Sequence, residues 1–372
     1  MNTIHPVTSS ARTVTSSKFL RIACLLMMSG VCSGIASAQP APPSTTTQPA
    51  PNKNEAPEPL KGVAAIKRDA AAVRETVTSD LARSFLRAAE NLPEVESRTL
   101  FRHKATRQLY TPFQADELPD AEKDQLEPRS LDEQFYYTTR YGTPVAYARA
   151  VDLLANAGFK SDSSDAPFAA KRILDFGYGG IGQLRTFALL GAHAVGVDVD
   201  PLLPALYYLP SDKGAIGTAG GHVSMVHGRW PAEAKALEEV GSGFDLILSK
   251  NTLKRGYIHP EREADKRMLI DLGVDDAAYV KALHDALNPG GYVMIYNLCP
   301  APAPADKPYI PWADGRCPFE KSLLEQAGFE VLAFDVVDDE PARTMGRALG
   351  WADMGMKLDT DLFAWYTILR KK

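Results

Sequence analysis

From about residue 172 onward, short apolar runs alternate along the chain with longer stretches of helical spacing. The runs are 172–176, 194–198, 223–226, 244–248, 292–297, 329–336 and 362–369. Between them, 183–190, 233–240, 275–287 and 319–327 place apolar residues on one face of a helix. Short apolar runs separated by amphipathic helices predict a doubly wound α/β architecture with a mostly parallel sheet. The last two runs have no clear helix between them, which predicts seven strands ending in an antiparallel final strand.

Upstream the pattern weakens. Residues 143–157 read as a helix opened by Pro144 and stopped by Gly158. Residues 61–92 are helical in spacing, with Leu81, Phe85, Leu86 and Ala89 on one face and Ser79 or Asp80 as a cap. Residues 93–130 are polar and mixed and predict no definite element, so 61–135 is expected to be a helical N-terminal extension ahead of an α/β domain over 136–372. Residues 39–60 are rich in Pro, Thr and Ala without period, too poor in apolar surface to offset their ordering entropy, and read as a disordered linker.

The first residues change the setting. Arg12, Lys18 and Arg21 precede an apolar run at 22–36, and Ala36-Ser37-Ala38 offers a small-residue cleavage site, the pattern of a signal peptide over 1–38. The run falls short of the roughly 20 residues that span a bilayer. An exported protein, periplasmic or secreted, with no membrane span after cleavage, is expected. Of the 4 cysteines only Cys299 and Cys317 lie beyond the leader, as either a bridge or two buried thiols. Composition is that of an ordinary globular chain, 45% hydrophobic and 23% charged, and a net charge of −5 gives no basis for a nucleic-acid partner.

The chemistry is concentrated after the first run of the α/β pattern. Gly177, Gly179 and Gly182 form G-x-G-x-x-G, with Gly180 as a fourth glycine, between a strand and a helix. Glycine suits a sharp turn whose backbone amides a ligand approaches closely. Asp198 ends the second run, where a carboxylate can accept from both hydroxyls of a ribose. Asp175, just before the glycines, suits a cofactor with ammonium and sulfonium groups and would repel a pyrophosphate. His222 and His227 flank the third run and read as surface or satisfied core residues rather than ligands, and no Cys or His spacing suggests a metal cage.

The stretches ILDFGYGGIGQ, VGVDVDP, FDLILSKNTL, LNPGGYVMIYNL and LLEQAGFEVL resemble the class I S-adenosylmethionine-dependent methyltransferase family over roughly residues 136 to 370. The resemblance implies that the glycine turn holds the methionine end of S-adenosylmethionine and that the acid after the second strand holds its ribose. These roles fall on Asp175, Gly177, Gly179, Gly180 and Asp198, and the segment 136–142, with Tyr141, resembles the region that covers the cofactor. Two departures stand out: Ile181 takes the place of the usual third glycine, and Arg229 stands where an acid often reads the adenine.

Methyl transfer needs alignment above all, and a base only for some acceptors. The fourth run delivers residues 249–259 to the carboxyl edge of the sheet, where open α/β sheets bind ligands. His259, Tyr257 and Lys250 are the catalytic candidates there, and Asn251, Lys254 and Arg255 the candidates for binding a small-molecule or protein acceptor. Export fits poorly with a methyl donor made in the cytoplasm. A non-catalytic binding or scaffold protein with the same fold is therefore the alternative, and an NAD-dependent oxidoreductase, lacking a hydride-transfer constellation beside the turn, is a third reading.

Overall fold

A computed structural model describes residues 60–139, 142–161 and 163–372. The expected leader and nearly all of the expected linker lie outside the described residues, as do Arg140 and Tyr141. No helix among the described residues is long and apolar enough to cross a membrane.

The sheet is built from β4 (Arg172–Phe176), β5 (His193–Asp198), β6 (Gly214–Ile216), β7 (Gly221–His227), β8 (Phe244–Lys250), β9 (Leu287–Cys299), β10 (Phe329–Val337) and β11 (Phe363–Lys371), in the order β10-β11-β9-β8-β4-β5-β7-β6. Strands β4, β5, β7, β8 and β9 run parallel to one another, and β11 runs antiparallel to both β9 and β10. The central strands are apolar on both faces because helices cover both. One core joins the helices Ala148–Asn156 and Gly182–Leu189 to the sheet, and a second, on the other face, joins Ala234–Val240, Asp276–Ala286 and Lys321–Gln326.

Three expectations need correction. The sheet has eight strands, because β6 adds a short antiparallel edge beside β7. The last two strands are separated by a helix, Asp339–Ala348, and a shorter one, Leu358–Asp361. The extension is not wholly helical: after the helices Gly62–Arg74 and Asp80–Ala89, the strands β1 (Arg98–His103), β2 (Leu109–Tyr110) and β3 (Leu126–Leu131) form a small antiparallel sheet in the order β2-β1-β3.

Two buried ionic joints hold the extension to the α/β core. Arg98 on β1 places both terminal nitrogens 2.6 Å from the carboxylate of Asp212, which also accepts from the Tyr136 hydroxyl at 2.8 Å and from the Leu209 amide at 2.9 Å. Asp152 accepts from the amides of Thr78 and Ser79, capping the approach to the second helix. Arg149 then links Asp152 to Asp338, at 3.0 and 2.6 Å. The Arg98 guanidinium and the Asp212 carboxylate are both nearly inaccessible to water. Removing one partner strands the other charge without solvent.

Arg98→Ala is therefore expected to cost about 3–5 kcal/mol of unfolding free energy, the range for breaking a buried pair. Replacing both partners with apolar residues of similar volume is expected to cost much less. Urea denaturation of both variants measures the difference.

Candidate functional site

The glycine turn joins β4 to the helix Gly182–Leu189 at the carboxyl edge of the sheet. Gly177 and Gly179 have φ of 70° and 56°, the left-handed region that side chains disfavour. Packing accounts for the other glycine of the motif: a Cβ on Gly182 would lie 2.7 Å from Pro144 and 3.1 Å from the Tyr137 carbonyl. Ile181, in the place of the expected third glycine, is fully buried and donates its amide to the Tyr207 hydroxyl. Tyr178 points down into the sheet, against the bare backbone of Gly196 on β5.

From above, the segment before the core lies on the turn. The helix Glu133–Thr138 ends at Thr139, whose φ is 44° and whose hydroxyl donates to the Gly179 carbonyl at 2.7 Å. A β-branched residue held in that region implies that its surroundings fix it, at a cost of roughly 1–3 kcal/mol. Thr252, just beyond β8, packs on the open face of Gly177, its hydroxyl 2.3 Å from where a Cβ would stand.

Two carboxyls flank this turn. Asp175 is completely buried, and Gln183 Nε2 donates to its Oδ2 at 3.0 Å while also donating to the Tyr178 carbonyl. Its Oδ1 has no hydrogen-bond partner among the described residues. Burial pushes Asp175 up to about 7, against the pull of Gln183, Tyr147 and the Lys250 ammonium. Asp198, at the end of β5, accepts from the amides of Gly179 and Asp200, at 3.1 and 2.9 Å. Burial raises Asp198 too, and those amide hydrogen bonds oppose the rise. The next side chain, Val199, is 58% exposed, an apolar face beside the acid.

These residues fit a cofactor of the expected kind. A buried carboxyl with an unpartnered oxygen suits a cationic group, Asp198 suits vicinal hydroxyls, and Val199 offers a flat ring an apolar contact.

Beyond the turn, a cavity of about 960 Å³ opens over the ends of β8 and β9. Lys250, Asn251, Thr139 and Cys299 line it on the sheet side, and Trp312, Trp351 and Met356 on the far side. Lys250 is 7% exposed, its Nζ 5.2 Å from the centre of the Tyr147 ring, and burial brings it down to about 8.

Of the other expected acceptor residues, Asn251 lines this cavity but bonds the sheet, and the rest go elsewhere. Asn251, with a φ of 65°, accepts from the Leu298 amide through Oδ1 and donates its own amide to the Tyr296 carbonyl, tying β8 to β9. Lys254 is fully buried, and its ammonium donates to the carbonyls of Leu298 and Trp312. Arg255 faces Glu320 at 3.4 Å. Tyr257 and His259 line a separate cavity with Ile270 and Leu272, and His259 meets Asp276 at 2.9 Å. The structure thus brings Lys250 and Asn251 to the cavity beside the glycine turn and places Tyr257 and His259 in another. Arg229 pairs with Asp271, His222 and His227 are exposed, and Cys299 and Cys317 are free buried thiols. Tyr147, Gln183 and Thr252 were not among the expected site residues. Gln183 closes the glycine stretch itself, so its position beside the motif was the one available signal.

No family model matches the chain. A ubiquinone biosynthesis O-methyltransferase from Ruegeria pomeroyi is 30% identical over 128 residues, 34% of this chain and 41% of that protein. The similarity thus spans less than half of the relative. Among solved structures, a Haemonchus contortus phosphoethanolamine N-methyltransferase 2, in complex with phosphomonomethylethanolamine and S-adenosylhomocysteine, is 17% identical. It aligns over 66% of this chain and 62% of its own, with a TM-score of 0.38. A putative sarcosine dimethylglycine methyltransferase from Galdieria sulphuraria is 12% identical over 63% of this chain and 86% of its own, with a TM-score of 0.36. Structural likeness this loose bears on neither fold nor function, and the fold rests on the sheet order.

Folding makes Asp175 bind a proton between its ordinary value, 3.8, and about 7. The ligand-free protein is therefore expected to lose stability as pH rises through that window, with the loss complete above it. Asp175→Asn removes the dependence. It should raise the melting temperature at pH 8 by roughly 5–8 °C and change it little at pH 4, as scanning calorimetry would record.

In sheet order, in the glycine turn between β4 and its helix, and over the 128 residues of sequence similarity, the α/β core of this chain resembles the class I S-adenosylmethionine-dependent methyltransferases.

Proposed function

We propose that the protein is an S-adenosylmethionine-dependent methyltransferase whose acceptor, a small molecule or a group on a protein, enters the cavity beside Lys250. The observation that carries the proposal is the buried Asp175 carboxyl with an unpartnered oxygen, set against a glycine turn and near Asp198. The methyltransferase similarity over 128 residues supports it. When bound, S-adenosylmethionine supplies a methyl group whose carbon–sulfur bond breaks, the electron pair staying on sulfur, as the bond to the acceptor forms.

The chain's own residues supply position and exclusion of water. Asp198 holds hydroxyls, Asp175 draws a cationic group to the turn, and the turn's bare backbone permits close approach. The apolar walls of the cavity orient an acceptor toward the end of β8, and alignment of this kind supplies much of a displacement's acceleration. Tyr257 and His259 line a different cavity and are left out of this proposal.

One observation favours a second reading, a binding or scaffold protein that keeps the fold without turnover: Thr252 occupies the face of Gly177 that a ligand would otherwise share. We also propose that the protein is exported, to the periplasm or the medium, on the support of the basic and apolar pattern over residues 1–38.

Isothermal titration with S-adenosylmethionine should show saturable binding, weakened at least tenfold in Asp198→Ala, as expected when a carboxylate that holds paired hydroxyls is lost. Binding with no transfer to a panel of acceptors would support the second reading. Absence of binding, or binding of NAD in its place, would overturn the first.

A further inference from the structure

The cavity beside the glycine turn has a polarity that limits which acceptors it can hold. Its lining combines apolar and aromatic residues, Leu298, Trp312, Leu349, Trp351 and Met356 among them, with charged ones that include Arg68, Asp69, Arg347, Asp353 and Asp361. A volume of about 960 Å³ lies at the large end of pockets for organic ligands, wide enough for a fused or substituted ring system. At the end of β8 its wall is Lys250, nearly buried, with its ammonium against the face of the Tyr147 ring.

Three charged groups meet at this end of the cavity. Asp175 is one, and it is fully buried with its own protonation shifted toward the neutral form. Lys254 is another, a second buried ammonium fixed by the carbonyls of Leu298 and Trp312. Lys250 itself is the third. Two ammonium groups against one partly neutral carboxyl leave this end of the cavity positive. Such an end repels an ammonium group and stabilises an atom that becomes negative on losing a proton.

We propose that the acceptor is an aromatic hydroxyl compound, bound with its rings between the tryptophans and its hydroxyl against Lys250, which serves as the base. This rests on the methyltransferase reading and narrows it. The neutral amine of Lys250 takes the hydroxyl proton, leaving an ammonium and a phenolate in contact. The proton returns to solvent once the product has left. Burial and the neighbouring Lys254 bring Lys250 down to about 8, so an appreciable fraction is the free base at neutral pH.

The test needs no cofactor. The full chain is titrated with 7-hydroxycoumarin, whose fluorescence excitation separates phenol from phenolate, with 7-methoxycoumarin as a control of shape and 2-(1-naphthyl)ethylammonium as a cationic aromatic. Bound 7-hydroxycoumarin should ionise at least one pH unit lower than in water, and the ammonium compound should bind at least tenfold more weakly. Lys250→Met should keep affinity for 7-methoxycoumarin and lose the ionisation shift. Lys250→Arg, which keeps the charge, should retain the shift, so the comparison survives if the methionine variant fails to fold. The inference is overturned if the wild type holds 7-hydroxycoumarin in its neutral form, if the ammonium compound binds as well, if Lys250→Met leaves the shift intact, or if neither coumarin binds saturably. A failure of cofactor binding appears only in the S-adenosylmethionine titration, so the two outcomes are distinguishable.

Discussion

Bare backbone at Gly182 and Gly196 is the constraint on which the site depends. A Cβ at either position would come within 2.7 Å of a neighbour, the Pro144 ring in one case and the Tyr178 ring or Leu184 in the other. With none there, the turn is held between β5 below and Tyr137, Thr139 and Pro144 above. Its exit angle sets where the helix Gly182–Leu189 begins, and Gln183 at the head of that helix then reaches back to Asp175. The buried carboxyl, Asp198 against the Gly179 amide, and Thr139 on the Gly179 carbonyl all follow from that fixed bend.

The extension is part of the same construction. Ala65 and Arg68 on the helix Gly62–Arg74 face the large cavity together with Thr138 and Thr139. That helix is held in place where Glu133 and Gln134 accept the amides of Val63 and Gly62. The residues that bond its first turn therefore belong to the short helix that ends on the glycine turn. Residues 347–362 close the opposite wall. The acceptor side is thus assembled from five distant parts of the chain, whereas the cofactor side is nearly continuous in sequence.

That difference explains what could be read from the sequence. Central parallel strands are buried on both faces, so they stand out as apolar runs, and Asp175, the glycines and Asp198 sit at their ends. The edge strand Gly214–Ile216 is too short to show a period. The helix Asp339–Ala348 is mostly polar and carries Pro341 in its first turn, which hid it. In the extension, β3 has half-exposed and exposed positions throughout and contains Pro128, so no alternation marks it. Lys254 reads as an acceptor-binding charge because nothing local shows that two carbonyls from elsewhere bury and satisfy it. Tyr257 and His259 follow Lys250 closely in sequence, but the helical turn Arg255–Ile258 carries them into another cavity.

Hydrogen exchange of the full chain, with and without S-adenosylhomocysteine, is the most direct measurement of the central claim, that the bend between β4 and its helix is a nucleoside site. Slower exchange confined to the amides of 176–182 and 198–201, with β10 unchanged, is the predicted result. Unchanged exchange in those two segments, or protection centred elsewhere, would contradict it.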